Sequence, residues 1–485
     1  MTLPLLSHTD RVFIAGAWRE GAARDTLPLL DPSHGTDLAR IARGNAVDID
    51  AAVAAAQAAL DGPWGRLTAT ERGRLLGRLG ERVAAAAEDL AQLEAMDVGK
   101  PLNQGRADAL ALARYLEFFG GAADKVMGET IPFAAGYTAL TLREPHGATG
   151  HIVPWNYPIQ IIGRSVGAAL AMGNACVLKP AEEACLSALA FAQLAHEVGL
   201  PAGALNVVPG LGEEAGVALS AHPGVAHVSF TGSVAVGRLV QAAAARNTIP
   251  VTLELGGKSP QIVFADADLD AALPFLVNAG IQNAGQTCSA ASRILVERSR
   301  FDEVVARMAE RYRALRVGPA ADDLDVGPLI SARQNEVVER FLVLARDSHL
   351  TVAAQGRITA LIAAWRLLHR ADLARAARRH LCAGAGGDLR PGASGDPVRR
   401  RSRCLAHRQR HRVRLGGGRL DARRQPRAAP VPRLEMRPSL HQQLRRGRRR
   451  QGLGPWAREG LRGAVWLFHL ENRGDQARLR RQRCG

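Results

Sequence analysis

Three side chains stand in surroundings suited to nucleophilic and acid–base chemistry. Cys288 lies in GQTCSA, residues 285–290, among small polar residues in a glycine-bearing, turn-forming context. A cysteine so placed becomes a nucleophile once its pKa is lowered from about 8.5. Cys176 and Cys185 have no such context and read as core residues, because free cysteine is among the most buried residue types. Glu254 stands between Leu253 and Leu255 in LELGG, at the end of a predicted strand. Partial burial there raises a carboxylate toward the working range of a general base. Asn156 lies in PWNYP, where Pro154 and Pro158 stiffen the loop, and reads first as a turn residue. The six cysteines are scattered without a CxxC pair, which argues against a disulfide framework or a zinc site.

A second group of segments suits an anionic ligand. FTGSVAVG, residues 230–237, follows a predicted strand and opens a helix, as an anion site at a helix N-terminus requires. Gly232 and Gly237 do not form a GxGxxG fingerprint. In LKPAEE, residues 178–183, Pro180 locks the turn between Lys179 and Glu182. PGLGEEAG carries Gly212 and Gly216.

These residues need a scaffold, and the hydrophobic pattern supplies one. Residues 149–153, 174–178, 204–208 and 225–230 read as strands, with helical stretches near 159–172, 184–198 and 212–221 between them. Such alternation predicts a parallel sheet covered by helices on both faces, with ligands at the carboxyl ends of its strands. Upstream, residues 47–60, 70–97 and 102–119 read as helices and 137–145 as a strand. After 256 a second unit begins, with strands at 260–264 and 292–297 and helices near 268–284 and 300–315. A chain of 485 residues suits two or three domains, and its 47% hydrophobic content excludes whole-chain disorder. No apolar run reaches the ~18 residues of a membrane span. The N-terminus lacks the basic start and apolar stretch of a secretory signal, so a reduced, cytoplasmic protein is expected.

In their order and spacing, PWNYP, LKPAEE, FTGSVAVG, LELGGKSP and GQTCSA resemble the motifs of the aldehyde dehydrogenase superfamily. The likeness is to its NAD(P)-dependent, hydrolytic, betaine-aldehyde-dehydrogenase-like branch, and it covers residues 10–356. It implies an α/β fold: a Rossmann-like NAD-binding domain from residues 1–118 and 146–253, and an oligomerisation arm at 119–145. A second α/β catalytic domain would begin at 254–356. It implies that Cys288 attacks an aldehyde and that the Asn156 amide and the Cys288 backbone N–H hold the oxyanion. Glu254 would then activate the water that hydrolyses the thioester. Pro154, Trp155, Lys179, Glu182, Gly212, Gly216, Phe230, Thr231, Gly232, Ser233, Val236 and Leu255 would bind the cofactor. A ribose-binding carboxylate at Glu182 favours NAD, with NADP as the alternative. The implied partner is a small-molecule aldehyde, with no metal, nucleic acid or membrane. A homo-oligomer is expected only if the C-terminus is in frame.

The likeness fails in the last 129 residues, and so does the charge balance. Residues 357–485 hold 33 arginines, no lysine and 8 acidic residues, a net +25, against −8 for residues 1–356. The family's Glu-Glu-Ile-Phe-Gly-Pro-Val motif, whose acidic residue grips the nicotinamide ribose, is missing. Back-translation recovers it. Residues 386–392, GGDLRPG, read one base later can encode that motif. The same shift over 439–450 can give Val-Phe-Ile-Asn-Asn-Tyr, and over 455–472 a His-Gly-Arg-Glu-Lys helix. Three family motifs in one frame and in order point to a frameshift near residue 357. The tail is then expected to be irregular and poorly ordered, and the chain as written to be inactive. Two other readings stand beside this one: a catalytically dead dehydrogenase-like protein, and a nucleic-acid-binding protein whose basic tail is drawn to phosphates.

Overall fold

The structure, a computed structural model, describes residues 3–348, 350–359, 372–375, 393–398, 463–469 and 480–483. The apolar runs between 148 and 255 form the strands Ala148–Ile152, Ala175–Lys179, Leu205–Val207, His227–Gly232 and Val251–Leu255. All five are parallel. Across the sheet they lie in the order 251–255, 227–232, 148–152, 175–179, 205–207. Ala148–Ile152 and Ala175–Lys179 are buried at every residue, as a sheet covered on both faces demands. A short N-terminal hairpin, Arg11–Ile14 and Ala17–Glu20, adds antiparallel to the Leu205–Val207 edge, which the sequence pattern did not signal.

Helices cover the sheet where their caps and apolar faces direct. Ala46–Asp61 starts at Asn45, whose side chain accepts from Val47 N–H while Asp48 reaches back to Asn45 N–H. Thr68 and Glu71 form the same reciprocal cap on Ala69–Ala85. The single helix expected over 70–97 is two, Ala69–Ala85 and Ala87–Asp97. An alanine run has no local stop signal. The break at Ala86 lets the second helix turn Leu90 and Leu93 into the core. Between the first two parallel strands runs a helical segment, Pro158–Ile162 and Ala168–Ala171, joined by a π-helical turn at Gly163–Gly167.

A second sheet follows residue 256. Its order is Pro260–Val263, Arg293–Glu297, Ala393–Val398, Asp372–Arg375, Thr351–Gln355, parallel except for the last strand. Leu276, Tyr312 and Val317 are buried at the centre of its core. A third, antiparallel sheet joins Thr130–Ile131, Tyr137–Arg143, Gly463–His469 and Arg480–Arg483.

Among the described residues, five segments of the tail, expected to be irregular, are therefore strands: the four in these two sheets and Arg357–Ile358, which pairs with Arg316–Val317. The cause lies in the backbone: an open strand edge offers N–H and C=O groups that pair with an extended segment of almost any composition. The rest of the tail, including 386–392, 439–450 and the ends of 455–472, lies outside the described residues.

Candidate active site

The parallel strands of the first sheet point their carboxyl ends to one side, and the predicted residues gather there. Ile152 leads into PWNYP, Lys179 into the Pro180 turn, Val207 toward Gly212, Gly232 into a helix start, and Leu255 into two glycines. A cleft of about 380 Å³ opens among them. Cys288, Glu254 and Asn156 all line it. From the expected cofactor set, Pro154, Trp155, Thr231, Gly232, Ser233 and Leu255 line it as well.

The other expected cofactor residues stand apart from this cleft. Lys179, nearly inaccessible, donates to Glu182 at 2.8 Å. Burial raises the Glu182 carboxyl most, but the Lys179 charge and hydrogen bond together with backbone hydrogen bonds at Glu182 and Gly212 hold it low. Gly212 and Gly216 face open space: a Cβ at either would meet nothing within 4 Å. Phe230 is buried beneath Gly232, where an added Cβ would meet its ring at 2.6 Å. Val236 is exposed on the helix Val234–Ala245. Ser233 caps that helix, its hydroxyl accepting from Val236 N–H at 3.2 Å. Gly237 serves packing, since a Cβ there would meet Leu255 at 2.7 Å.

The loop before Cys288 is strained and tightly held. Asn283, Ala284 and Gly285 all have positive φ, at 48°, 55° and 77°. For the two non-glycine residues this costs about 1–3 kcal/mol each, so the surroundings must over-determine it. They do. Asn283 N–H donates to the Gln104 side chain at 2.8 Å, and its amide donates to Asn156 O at 3.0 Å. Asn156 returns the bond, donating from Nδ2 to Gln286 O at 2.9 Å. Gln286, fully buried, donates to Asn283 O at 3.1 Å and accepts from Ile330 N–H at 3.0 Å. The carboxamide and the thiol are thus fixed on one hydrogen-bonded frame.

Electrostatics set the resting state. Burial pushes the Cys288 thiol up; Arg164 opposes this and Glu254 adds to it. The cleft does not supply the lowered pKa that a resting thiolate requires, because desolvation disfavours the thiolate. Burial also raises the Glu254 carboxyl, again opposed by Arg164. Cys176 and Cys185 are fully buried away from the cleft. Sequence reasoning missed two residues here, Arg164 and Gln286. The available signals were a lone arginine in the apolar run IIGRSVGAAL and a glutamine two positions before the cysteine. Among the described residues, no cluster of His, Cys, Asp or Glu could hold a metal, and no helix is long and apolar enough to cross a membrane.

A doubly covered parallel sheet, with an open glycine turn and a thiol-bearing cleft at its carboxyl ends, defines a dinucleotide-binding class of protein built around a cysteine. The aldehyde dehydrogenase family model matches residues 18–362. The hydroxyisobutyraldehyde dehydrogenase of Mycolicibacterium austroafricanum is 41% identical over 350 residues, 72% of this chain and 69% of that one. A Burkholderia cenocepacia structure assigned to the aldehyde dehydrogenases is 57% identical, with a TM-score of 0.80 over 82% of this chain and 83% of its own. The NAD+ complex of an aldehyde dehydrogenase from Bacillus cereus is 33% identical, with a TM-score of 0.79 over 83% and 82%. This chain belongs to the aldehyde dehydrogenase family. Its reaction class is the oxidation of aldehydes.

Proposed function

We propose that Cys288, Glu254 and Asn156 carry out NAD-dependent oxidation of an aldehyde to its carboxylic acid. The observation that carries this reading is their meeting in one cleft at the carboxyl ends of the parallel sheet. The dinucleotide fits the residues present. The ionised Glu182, held by Lys179, suits a ribose diol and opposes a 2′-phosphate, which favours NAD over NADP. The open faces of Gly212 and Gly216 leave room for a planar base. The N-terminus of the Val234–Ala245 helix suits the pyrophosphate charge.

The Cys288 thiol gives up its proton to solvent, its sulfur bonds to the aldehyde carbon as the C=O π bond opens, and the carbonyl oxygen takes up negative charge. The Asn156 amide spends one N–H on Gln286 O and has a second for that oxygen. The Cys288 backbone N–H is the other donor. Losing one such donor costs about 2.7–4 kcal/mol of barrier. A dinucleotide held by Glu182 and the start of the Val234–Ala245 helix would supply the hydride acceptor, and Cys288 would then carry the acyl group as a thioester. Glu254, its carboxyl raised by burial, takes a proton from water. The water oxygen bonds to the acyl carbon, the C–S bond breaks, and the sulfur leaves as thiolate. In the frame-restored protein, Cys288→Ala should abolish aldehyde oxidation while NAD still binds. Retained turnover in that variant would contradict the reading.

The tail belongs to the same proposal. The family match ends at residue 362, close to the composition change at 357. The alignment to the Mycolicibacterium relative leaves about the same share of both chains unmatched. Both facts support a frameshift, which removes the acidic residue that positions the nicotinamide ribose in the family. The chain as written then turns over poorly. In frame, the enzyme is read as a cytoplasmic homo-oligomer acting on a small-molecule aldehyde.

A further inference from the structure

We propose that Gln104 is a positioning residue for the nucleophile: from the start of the helix Leu102–Ala122 it latches the loop at 283–285 in its left-handed conformation and so sets the exposure of Cys288. The inference rests on the reading of Cys288 as the reacting thiol. Gln104 lies outside every motif on which that reading is built. The loop is not self-supporting. Two successive non-glycine residues, Asn283 and Ala284, stand at φ 48° and 55°, where a Cβ crowds the following carbonyl oxygen. Backbone strain of that kind persists only where the surroundings hold it. Asn283 is buried, and its Oδ1 finds no hydrogen-bond partner among the described residues, so an opened loop gains a hydrated carbonyl there.

Against that release stands the bond from Asn283 N–H to Gln104 Oε1, 2.8 Å long. Gln104 has a fixed base. Its own N–H donates to Pro101 O at 3.0 Å. One residue earlier, Asn103 N–H donates to Asp323 Oδ1 at 2.7 Å, and two residues later Arg106 reaches Asp323 Oδ2 at 3.3 Å. Gly105 lies so close to the neighbouring helix that a Cβ there would meet the Ala91 backbone at 3.0 Å. Asp323 belongs to the second unit, as Asn283 does. The start of this helix therefore grips that unit at two places, one of them the loop that carries the thiol. Closed, the loop keeps the thiol half-buried, and desolvation disfavours the thiolate. Opened, it admits water to the sulfur and breaks the bonds that fix the Asn156 amide beside it.

The test uses the full chain as encoded and requires no turnover. Iodoacetamide alkylates a thiolate: the thiol proton passes to buffer, the S–C bond forms, the C–I bond breaks and iodide leaves. Labelling of the Cys288, Cys176 and Cys185 peptides is followed by mass spectrometry in one digest. Gln104→Ala should raise the Cys288 rate about fivefold, the worth of one neutral hydrogen bond. Cys176 and Cys185, fully buried in the core of the first sheet, should stay unlabelled over the same time. Gln104→Glu keeps an acceptor for the Asn283 N–H and should stay near the parent rate. Adding Ala284→Gly to Gln104→Ala relieves the left-handed strain by another route and should return the rate toward the parent. An unchanged Cys288 rate in Gln104→Ala, a rise shared by Cys176 and Cys185, or no recovery with Ala284→Gly each overturns the proposal. If Cys288 of the parent resists iodoacetamide altogether, the reading of the cleft falls, and the proposal with it.

Discussion

The two sheets that flank the cleft are built from chain segments of very different separation. In the first, five parallel strands lie within residues 148–255, and each neighbour follows through a short helical crossover or a small jump in order. Its central strands are buried along their whole length. In the second, Arg293–Glu297 pairs with Ala393–Val398, about a hundred residues further on, within the arginine-rich tail. That partner holds Gly395, Asp396 and Pro397, residue types depleted in strands, and Pro397 has no N–H to give the ladder. One half of the cleft therefore rests on local, apolar sequence. The other rests on a distant segment whose pairing is backbone-driven. Cooperative units of unequal stability follow from such a division.

The largest expected effect comes from mending the weaker half. Shifting the frame by one nucleotide near codon 357 should raise aldehyde-dependent NADH formation from background by orders of magnitude and yield a soluble oligomer. Activity at the same level from the chain as written would remove the distinction between the halves. A smaller effect separates them in the chain as it stands. Leu178→Ala, in the first sheet, should cost about 2–5 kcal/mol in urea unfolding, as buried leucines do. Ile294→Ala, equally buried in the second sheet, should cost less than half of that, because its surroundings hold less cooperative structure. Equal losses would show that the tail strands complete the second sheet as firmly as the native pattern completes the first.

The smallest effect concerns a buried carboxyl in the better-built half. Asp97 is fully buried; its Oδ2 accepts from Leu186 N–H at 2.9 Å, while its Oδ1 has no hydrogen-bond partner. Burial pushes its pKa up to about 8. Between the unfolded value, about 4, and that raised value, the folded state holds a proton the unfolded state has released. Stability from this group therefore falls as pH rises through that window. Asp97→Asn should lose less stability than the parent between about pH 5 and pH 9, by about 1.4 kcal/mol for each pH unit below the raised pKa, read from urea midpoints. Parallel curves would show that the carboxyl is ionised in the fold.

Much of the better-built half was legible in the sequence, for reasons that also explain what was not. Fully apolar runs spaced by helices made the parallel strands visible, and the motif contexts of Cys288, Glu254 and Asn156 led to one cleft. The N-terminal hairpin was hidden because RVFI and AWRE are too short to show a period and become strands only against Leu205–Val207. The break at Ala86 was hidden because alanine favours helix on both sides of it. Arg164 was hidden for a different reason. A lone arginine in a predicted helix reads as a solvated face, and only the contact of Gly163 with Tyr115 and Leu112 turns it inward. The raised thiol could not be read either, since desolvation belongs to the assembled cleft and not to the GQTC segment.

The central claim is that Cys288 and Glu254 divide two chemical steps within one cleft, and a single mixing experiment addresses it. Frame-restored protein carrying Glu254→Gln is mixed with an aldehyde and excess NAD, and NADH absorbance is followed while the protein mass is measured. The account predicts one equivalent of NADH per site, no steady state, and an acyl adduct on the Cys288 peptide. Undiminished steady-state turnover, or an adduct on any other residue, would contradict it.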